Sequence, residues 1–505
     1  MPANQRVGFV KTATIYGIDA LPVTVEISIG SGLPGFYIIG LPDLAVKEAT
    51  RRVRQALKST GFVVKNAQVI VNLAPSSMRK IGSGFDLPIA LAYLQATNQI
   101  DEGLTANRIC VGELSLDGTI RAVSGQLAYE RLAQQRQMGL LTAPVRAGLV
   151  IEPTEDHLCL ESLAALKTAR FTPAQQSPAS PETRHLDFAD IVGNDLAKRA
   201  LQIAAAGSFG LLMIGPPGAG KSMMARRLPS ILPPLEEANR LDSALIHSVA
   251  GLPFDSILSG ERPFRAPHHG ASRAGLIGGG NPILPGEISL AHNGVLFLDE
   301  LPEFGSAALQ LLRQPIELGY ISLARAQGTV TFPAQFMLVA AANPCPCGFL
   351  SDEHHSCSCT PAQISRYLGR VGGPLLDRFN LVVDVTRTIA ADVLATGQGT
   401  TSASLRAGVK KARAFARWRQ LQDPTDGLSN VTNLKSQEAA LLAACQLGSQ
   451  EQALLEMVAD RYFLSGRGII STLAVARTIA DMDEQLKVQK HHLFEAIGYR
   501  PRGDQ

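Results

Sequence analysis

The stretch best suited to chemistry in this 505-residue chain is a glycine-rich loop between an apolar run and a helix-like segment. Its pattern G-x-x-x-x-G-K-S is that of a phosphate-binding P-loop. Glycines let the backbone approach phosphates closely, and free N–H groups at a helix start bind the anion. We expect the lysine to reach the β- and γ-phosphates and the serine hydroxyl to hold Mg²⁺. The predicted nucleotide-binding residues are Gly215, Pro216, Pro217, Gly218, Ala219, Gly220, Lys221 and Ser222.

Two acidic residues follow a second apolar run, Val295–Leu298. After a P-loop, this pattern predicts a Walker B strand. Asp299 is then expected in the Mg²⁺ shell. Glu300 is expected to polarise the attacking water, because phosphoryl transfer needs mainly a positioned nucleophile and charge neutralisation. The alternative is a strand that ends in two solvated acids, and the P-loop upstream makes us prefer the catalytic interpretation.

Two further polar residues follow apolar stretches. Asn343 ends the run FMLVAAAN and is predicted to lie beside the γ-phosphate and help hold the water. Arg378, in LLDRF, could stabilise the transition state of a neighbouring subunit. An ordinary salt bridge at a helix end explains Arg378 equally well, and spacing alone does not decide between the two.

These residues need a scaffold that brings strand ends together. Strand-like runs alternate with helical stretches after residue 185, which predicts a parallel α/β sheet covered by helices. We therefore predict an α/β fold made of a P-loop NTPase core, an α+β amino-terminal domain and a helical lid. The predicted boundaries are 1–171 for the amino-terminal domain, 172–184 for a proline-rich linker, 185–388 for the core and 389–505 for the lid.

Bulk composition limits which classes of function and location remain possible. The chain is 46% hydrophobic and 18% charged with a net charge of +3, so any nucleic-acid surface must be local. The start of the chain lacks the pattern of a signal peptide, and the longest uncharged window is broken by glycines and a proline pair. We therefore expect a cytoplasmic protein that does not span a membrane.

Four of the seven cysteines lie within fifteen residues, as Cys345, Cys347, Cys357 and Cys359. Four thiolates suit tetrahedral Zn²⁺, so we predict a structural zinc site. His354 or His355 could replace one thiolate as a ligand. Four reduced cysteines without metal, and a redox role, stay open as alternatives.

The motifs GPPGAGKS, VLFLDE, AANPCPCG and GPLLDRF occur in the order found in AAA+ ATPases of the magnesium-chelatase branch, and the chain resembles that family. The opening block, including NLAPSSMRKIGSGFDLPIA, is similar to the amino-terminal domain of the YifB/ComM family. This resemblance implies a hexameric ring with ATP and Mg²⁺ bound between subunits. It also implies a DNA helicase that drives branch migration in natural transformation and homologous recombination.

The resemblance also implies further site residues. The sensor-2 arginine of the family falls on Arg467, with Arg477 as the second choice, while Ser471 stands where relatives commonly have arginine. Residues 263–289 resemble the helix-2 insert, which is glycine-rich and unlike a helix. Residues 320–333 resemble a hairpin that lines the pore in related motors. The implied DNA contacts are Arg325, Arg265, His268, His269 and Arg273, although packing or capping explains the two histidines equally well.

Two other features of the resemblance concern function. The first block resembles the Lon-type protease fold, but its nucleophile position falls on Gly84 and its lysine position near Leu127, so we expect no peptidase activity. Basic residues in 405–420 fall on one helical face, either as a DNA-facing stripe or as a solvated lid surface. The competing functions are a metal-chelatase motor that remodels a protein partner and a scaffold that uses ATP only to hold a ring together.

Overall fold

The computed structural model describes residues 7–144, 146–147, 157–173, 175–176, 186–325, 328–350, 352, 355–387, 399–422 and 434–500. They form a mixed α/β protein with a parallel sheet in its central region and helices at its carboxyl end. Among these residues, no helix combines the length and the apolar character that crossing a membrane requires.

The amino-terminal region is an eight-stranded mixed sheet with helices packed on it. Its two long central strands alternate buried and exposed residues, the pattern of a sheet with one covered face. In spatial order the strands are Thr172–Pro173, His157–Cys159, Gly139–Thr142, Arg108–Cys110, Val7–Tyr16, Asp19–Gly30, Gln68–Ala74 and Gly35–Ile39. The helices of this region are Leu44–Ser59, Asp86–Ala96 and Gln126–Gln135.

The predicted linker begins inside this fold. Thr172–Pro173 pairs antiparallel with His157–Cys159, and Gln175–Gln176 pairs with Arg146–Ala147. Residues 172–173 and 175–176 of the predicted linker therefore take part in backbone pairing, which the proline-rich composition did not indicate. The rest of the predicted linker lies outside the described residues.

The central region is a five-stranded sheet whose strands all run parallel. Its strands in spatial order are Phe264–Arg265, Val295–Leu298, Met337–Ala342, Leu211–Ile214 and Leu381–Asp384. The helices around it are Asp195–Gly207, Lys221–Ile231, Glu237–Val249, Asp255–Leu258, Arg273–Ile277, Glu287–Leu290, Ser306–Leu311, Arg313–Leu318, Pro361–Gly369 and Gly373–Leu376. The parallel α/β prediction is confirmed, and the carboxyl ends of the strands meet at one edge.

The region that resembles the helix-2 insert contains short helices, although its sequence is unlike a helix. It contains the short helices Arg273–Ile277 and Glu287–Leu290, joined by a small ladder of Gly278–Gly279 with Leu284–Pro285. Because this region is rich in glycine, its composition did not indicate these short helices. The predicted hairpin is confirmed as the antiparallel strands Tyr320–Arg325 and Gly328–Pro333, and its turn residues 326–327 lie outside the described residues.

The carboxyl-terminal region is helical, as predicted. Its helices are Ser402–Gln422, Leu434–Cys445, Ser449–Arg461, Gly466–Met482 and Lys490–Gly498. Buried side chains of the lid helices, including Leu405 and Leu473, form one continuous apolar core with those of the central sheet. The lid is therefore packed on the P-loop region rather than tethered to it.

The amino-terminal region also contacts the central one closely. The backbone N–H of Gly125 donates to the Ser248 carbonyl (2.8 Å), and Leu127 N–H donates to the Ser248 hydroxyl (3.2 Å). The Tyr16 hydroxyl donates to the carbonyl of Thr329 in the hairpin (2.9 Å). These bonds tie the amino-terminal sheet to the hairpin and to the helix Glu237–Val249.

Candidate nucleotide site

The P-loop joins the strand Leu211–Ile214 to the helix Lys221–Ile231 at the carboxyl edge of the sheet. Gly218 and Gly220 adopt φ values of +79° and +85°, in the left-handed region that favours glycine. A Cβ atom added at either position would meet nothing within 4 Å. The loop therefore borders open space, as a phosphate cradle must.

The Lys221 side chain is buried under this loop. Its Nζ donates to the carbonyl oxygens of Gly215 (2.5 Å) and Pro216 (2.8 Å) and to Asn343 Oδ1 (3.2 Å). Burial lowers the pKa of Lys221 to about 8, although the carboxylates of Asp299 and Glu300 act in the opposite direction. The ammonium group thus lies among oxygen acceptors that an arriving phosphate would replace.

The two predicted Mg²⁺ ligands meet directly. The Ser222 hydroxyl donates to Asp299 Oδ2 (2.6 Å). This contact follows from sheet register, because Leu298 pairs with Ala340 and Ile214 pairs with Ala342, so the ends of these strands align. A hydroxyl and a carboxylate oxygen form a donor set suited to Mg²⁺, and with Lys221 they fit the terminal phosphates of a nucleoside triphosphate.

Glu300 follows Asp299 in a left-handed conformation with φ 53°. Its backbone N–H donates to Asp299 Oδ1 (3.1 Å), and its side chain is about half exposed, as a group that must orient water requires. His269 Nδ1 lies 3.4 Å from Glu300 Oε2. The His269 ring also packs 4.0 Å from the His268 ring, centroid to centroid.

The sequence left two interpretations open for these histidines, DNA contact or packing and capping, and neither included the contact between His269 and Glu300. The contact arises because the strand Phe264–Arg265 pairs in parallel with Val295–Leu298 and delivers the residues after it to the same edge, and a strand of two residues leaves no periodic pattern in the sequence. His268 is an exposed neighbour whose Nδ1 accepts the Gly270 backbone N–H (3.1 Å), so it partly serves as a local turn cap.

Arg378 is not part of this site within one protomer. Its guanidinium contacts the Glu317 carboxylate, and the side chain is only 9% exposed. Its Nε and Nη1 have no hydrogen-bond partner among the described residues. The salt-bridge alternative therefore describes its state in the isolated protomer, and its action on a neighbouring subunit stays a prediction.

The two candidate sensor arginines have opposite surroundings. Arg467 is exposed in the first turn of the helix Gly466–Met482. Arg477 is buried, and its guanidinium donates to the carbonyls of Ala444 and Leu486 and pairs with Asp481 (3.1 Å). This network holds the Arg477 guanidinium inside the lid, whereas Arg467 is exposed, and a nucleotide contact by either arginine stays a prediction.

Ser471 is buried and bonded on two sides. Its hydroxyl accepts hydrogen bonds from Asn380 Nδ2 (2.9 Å) and from Arg500 Nη1 (3.2 Å). It therefore links the lid to the segment after Arg378 rather than facing the nucleotide.

The predicted DNA contacts fall into two groups. Arg325 and Arg273 are exposed, and Arg325 Nη2 lies 3.6 Å from the position that a Cβ of Gly279 would occupy, so the hairpin and the insert are neighbours. Arg265, in contrast, forms a bidentate pair with Glu287, with both N–O distances at 2.6 Å. Its positive charge is already neutralised inside the protomer.

Family models match most of the chain in three pieces. The model described as magnesium chelatase, subunit ChlI, matches residues 187–393. The model described as subunit ChlI of Mg-chelatase matches residues 25–145, and the carboxyl-terminal ChlI model matches residues 399–500.

Relatives of nearly full length are similar to the whole chain. An uncharacterized protein YifB of Salmonella typhimurium is 39% identical over 97% of this chain and 96% of its own length. The competence protein ComM of Haemophilus influenzae is 40% identical over 96% and 95%. The chain belongs to the YifB/ComM family of magnesium chelatase-like proteins. As a member of a chelatase-like family, it is of the AAA+ type, consistent with the P-loop geometry described above.

This YifB/ComM family member also brings its four clustered cysteines together. Sγ–Sγ distances are 3.3 Å for Cys345–Cys347, 3.7 Å for Cys345–Cys357 and 3.6 Å for Cys347–Cys357. The Cys359 Sγ accepts the backbone N–H of Cys347 (3.4 Å). Tetrahedral zinc with Zn–S bonds of about 2.3 Å needs sulfur atoms about 3.8 Å apart, so the cluster fits this metal.

Within the cluster, the thiol of Cys347 is shifted toward the thiolate, whereas burial and the neighbouring thiols raise the pKa of Cys357 and of Cys359. Backbone N–H groups of Phe349 and Ser358 lower the pKa of Cys347 to about 6. His355 does not join the cluster, because its Nδ1 lies 3.3 Å from Asp352 Oδ1. The other candidate substitute ligand, His354, lies outside the described residues.

The basic stripe on the first lid helix is in part the solvated surface that one alternative predicted, since Lys410 and Arg417 are exposed, and in part a contact with the central region. Arg406 Nε donates to the Ser230 carbonyl (2.6 Å), and Arg413 Nη2 donates to the Ala205 carbonyl (2.7 Å). Arg417 pairs with Glu236 (3.0 Å). These arginines fasten the lid to the central region, since guanidinium groups readily bridge to the carbonyls at helix ends.

Proposed function

We propose that this protein is an ATP hydrolase that works as a hexameric ring and moves single-stranded or branched DNA, as a helicase and branch-migration motor. The observation that carries the proposal is the convergence of Lys221, Ser222, Asp299, Glu300 and Asn343 at one edge of the parallel sheet. A relative is named a competence protein, which fits a role in natural transformation and homologous recombination.

In this proposal each residue has one task. Lys221 neutralises the terminal phosphates, while Ser222 and Asp299 hold Mg²⁺. The bound Mg²⁺ would offset negative charge on the transferred phosphoryl group. Glu300 and Asn343 orient the water. Arg378, once separated from Glu317, would stabilise the transition state in the next protomer, and Arg467 would contact the phosphates from the lid.

The DNA path would run along the hairpin and the insert. Arg325 and Arg273 are exposed on these neighbouring segments, and phosphate contacts need only such positioned cations. Reduced thiols in the cysteine cluster suit the cytoplasm, and zinc there would be structural.

The second candidate is a chelatase-type motor that acts on a protein partner. A magnesium-chelatase 67 kDa subunit of Chlorobaculum parvum is 31% identical over 159 residues, which is 31% of this chain. That match omits most of the chain, so we prefer the DNA motor.

The test is ATP turnover with and without forked DNA, together with strand displacement. We expect DNA to stimulate turnover and Lys221→Ala to abolish both activities. Glu300→Gln is the matched control, because it removes the carboxylate that orients the water but keeps the phosphate contacts. Turnover that ignores DNA and responds to a protein partner would favour the chelatase-type motor instead.

A further inference from the structure

The loop that carries the cysteine cluster packs directly against the P-loop. Gly348, one residue after Cys347, has φ +83°, and a Cβ there would lie 2.6 Å from Pro217 Cδ. Only glycine lets the two loops approach this closely. The same cluster begins two residues after Asn343, whose side chain accepts from Lys221. The cysteine loop therefore lies next to the nucleotide site at two points, at Pro217 through Gly348 and at Lys221 through the preceding Asn343.

A single arginine bridges the two loops. Arg387 Nε donates to the carbonyl oxygen of Pro217 (3.3 Å) and lies 3.6 Å from Asp352 Oδ2. Its guanidinium also lies over the Phe349 ring, 5.5 Å from the centroid, and Nη1 is 3.4 Å from His355 Nδ1. Asp352, Phe349 and His355 belong to the loop between the two cysteine pairs, whereas Pro217 belongs to the P-loop.

The partners of Arg387 are themselves ordered by that loop. Asp352 is buried, with a side chain 3% exposed, and its Oδ1 accepts the backbone N–H of His355 (3.0 Å). The Phe349 and His355 rings stack at 4.8 Å. Because Phe349 and His355 lie within two residues of Cys347 and Cys357, the conformation that receives Arg387 depends on the cysteine pairs being held together.

We propose that Arg387 is a positioning residue for the P-loop and that zinc in the cysteine cluster thereby sets the affinity of the site for ATP. Zinc would fix the loop that holds Arg387, and Arg387 would hold the Pro217 carbonyl in its binding conformation. A preorganised loop binds more tightly because less order must be imposed on binding. This inference rests on the proposed nucleotide binding and adds a metal dependence to it.

The test measures the dissociation constant of a fluorescent ATP analogue with the full-length protein. For Arg387→Ala we expect it to rise about tenfold, equivalent to about 1.4 kcal/mol, with turnover at saturating ATP retained. Removal of zinc from the wild-type protein with a chelator should produce the same rise, reversed by added Zn²⁺. Removal of zinc from the Arg387→Ala variant should raise the dissociation constant by less than a further factor of about two, because both changes break the same link between the cysteine loop and the P-loop.

Two variants separate this role from general damage. Arg387→Lys keeps the charge but loses the planar group that serves Pro217, Asp352 and Phe349 together, so we expect only partial rescue. Arg366→Ala is the matched control, because Arg366 is exposed on the neighbouring helix Pro361–Gly369 and has no hydrogen bond or ion pair among the described residues. Its affinity for the analogue should equal that of the wild type.

The proposal would be overturned if Arg387→Ala and zinc removal raised the dissociation constant independently, so that their effects multiplied. So would protein that neither contains nor binds Zn²⁺, or zinc removal that leaves the affinity unchanged. Failure of the nucleotide site itself would look different, since Lys221→Ala would then bind the analogue as tightly as the wild type.

Discussion

The buried ion-pair network of the lid predicts a loss of stability for one substitution, and the magnitude of that loss can be worked out from the structure. The Arg477 side chain is 4% exposed and Asp481 is 6% exposed, and Arg419 completes the cluster with Nε 3.1 Å from Asp481 Oδ1. The Arg477 guanidinium also serves the carbonyls of Ala444, Gln485 and Leu486. Arg477→Ala would leave these carbonyls without this donor, and the bond to the Ala444 carbonyl is buried.

Asp481 keeps its pair with Arg419 after this substitution, so the loss comes mainly from the buried Ala444 carbonyl left without its donor, which costs about 1–3 kcal/mol. Since the whole free energy of unfolding of a domain is about 5–15 kcal/mol, the lid should lose a measurable part of its stability. The only tryptophan of the chain, Trp418, lies in the lid helix Ser402–Gln422 next to Arg419. Urea unfolding followed by its fluorescence therefore reports on this region.

Arg467→Ala is the matched control, because Arg467 is an exposed arginine of the same helix. It should unfold like the wild type while slowing ATP turnover. The reasoning is refuted if Arg477→Ala costs less than about 1 kcal/mol, or if Arg467→Ala destabilises the lid equally.

Three further predictions follow from the site and its supports. His269→Ala should raise ATP turnover without DNA by about threefold, because the 3.4 Å contact that competes with water for Glu300 is lost; unchanged turnover would contradict this. Arg378→Ala should lower turnover at least about a hundredfold in the assembled ring while analogue affinity stays the same, which single-turnover assays can check. Burial lowers the pKa of His292 to about 4, so the unfolded state binds more protons and stability should fall as the pH drops from about 6.5 to 4. Urea titrations across that range should show a shallower fall for His292→Asn.

The elements that hold the nucleotide site were predictable because each carries a local signal. The strands before Lys221, Asp299 and Asn343 are short apolar runs, and parallel register alone brings their ends together. The clustering of four cysteines was likewise visible in their spacing.

Contacts between distant segments were not predictable. The approach of His269 to Glu300 depends on a strand of only two residues, too short for a periodic pattern. The pairing of Arg378 with Glu317 joins residues that are far apart in sequence. Helical periodicity correctly placed the lid arginines on one face, but it does not say which carbonyls that face meets.

The bond from Tyr16 to the hairpin carbonyl of Thr329 has a mechanical consequence. A Cβ on Gly17 would lie 3.3 Å from Val330 Cγ1, so the turn that follows Tyr16 packs on the same hairpin strand. In the proposed DNA motor, a hairpin that moved with DNA would have to carry the amino-terminal sheet along or detach from it. The amplitude of each proposed step would then depend on how far the whole amino-terminal domain can move, and not on the hairpin alone.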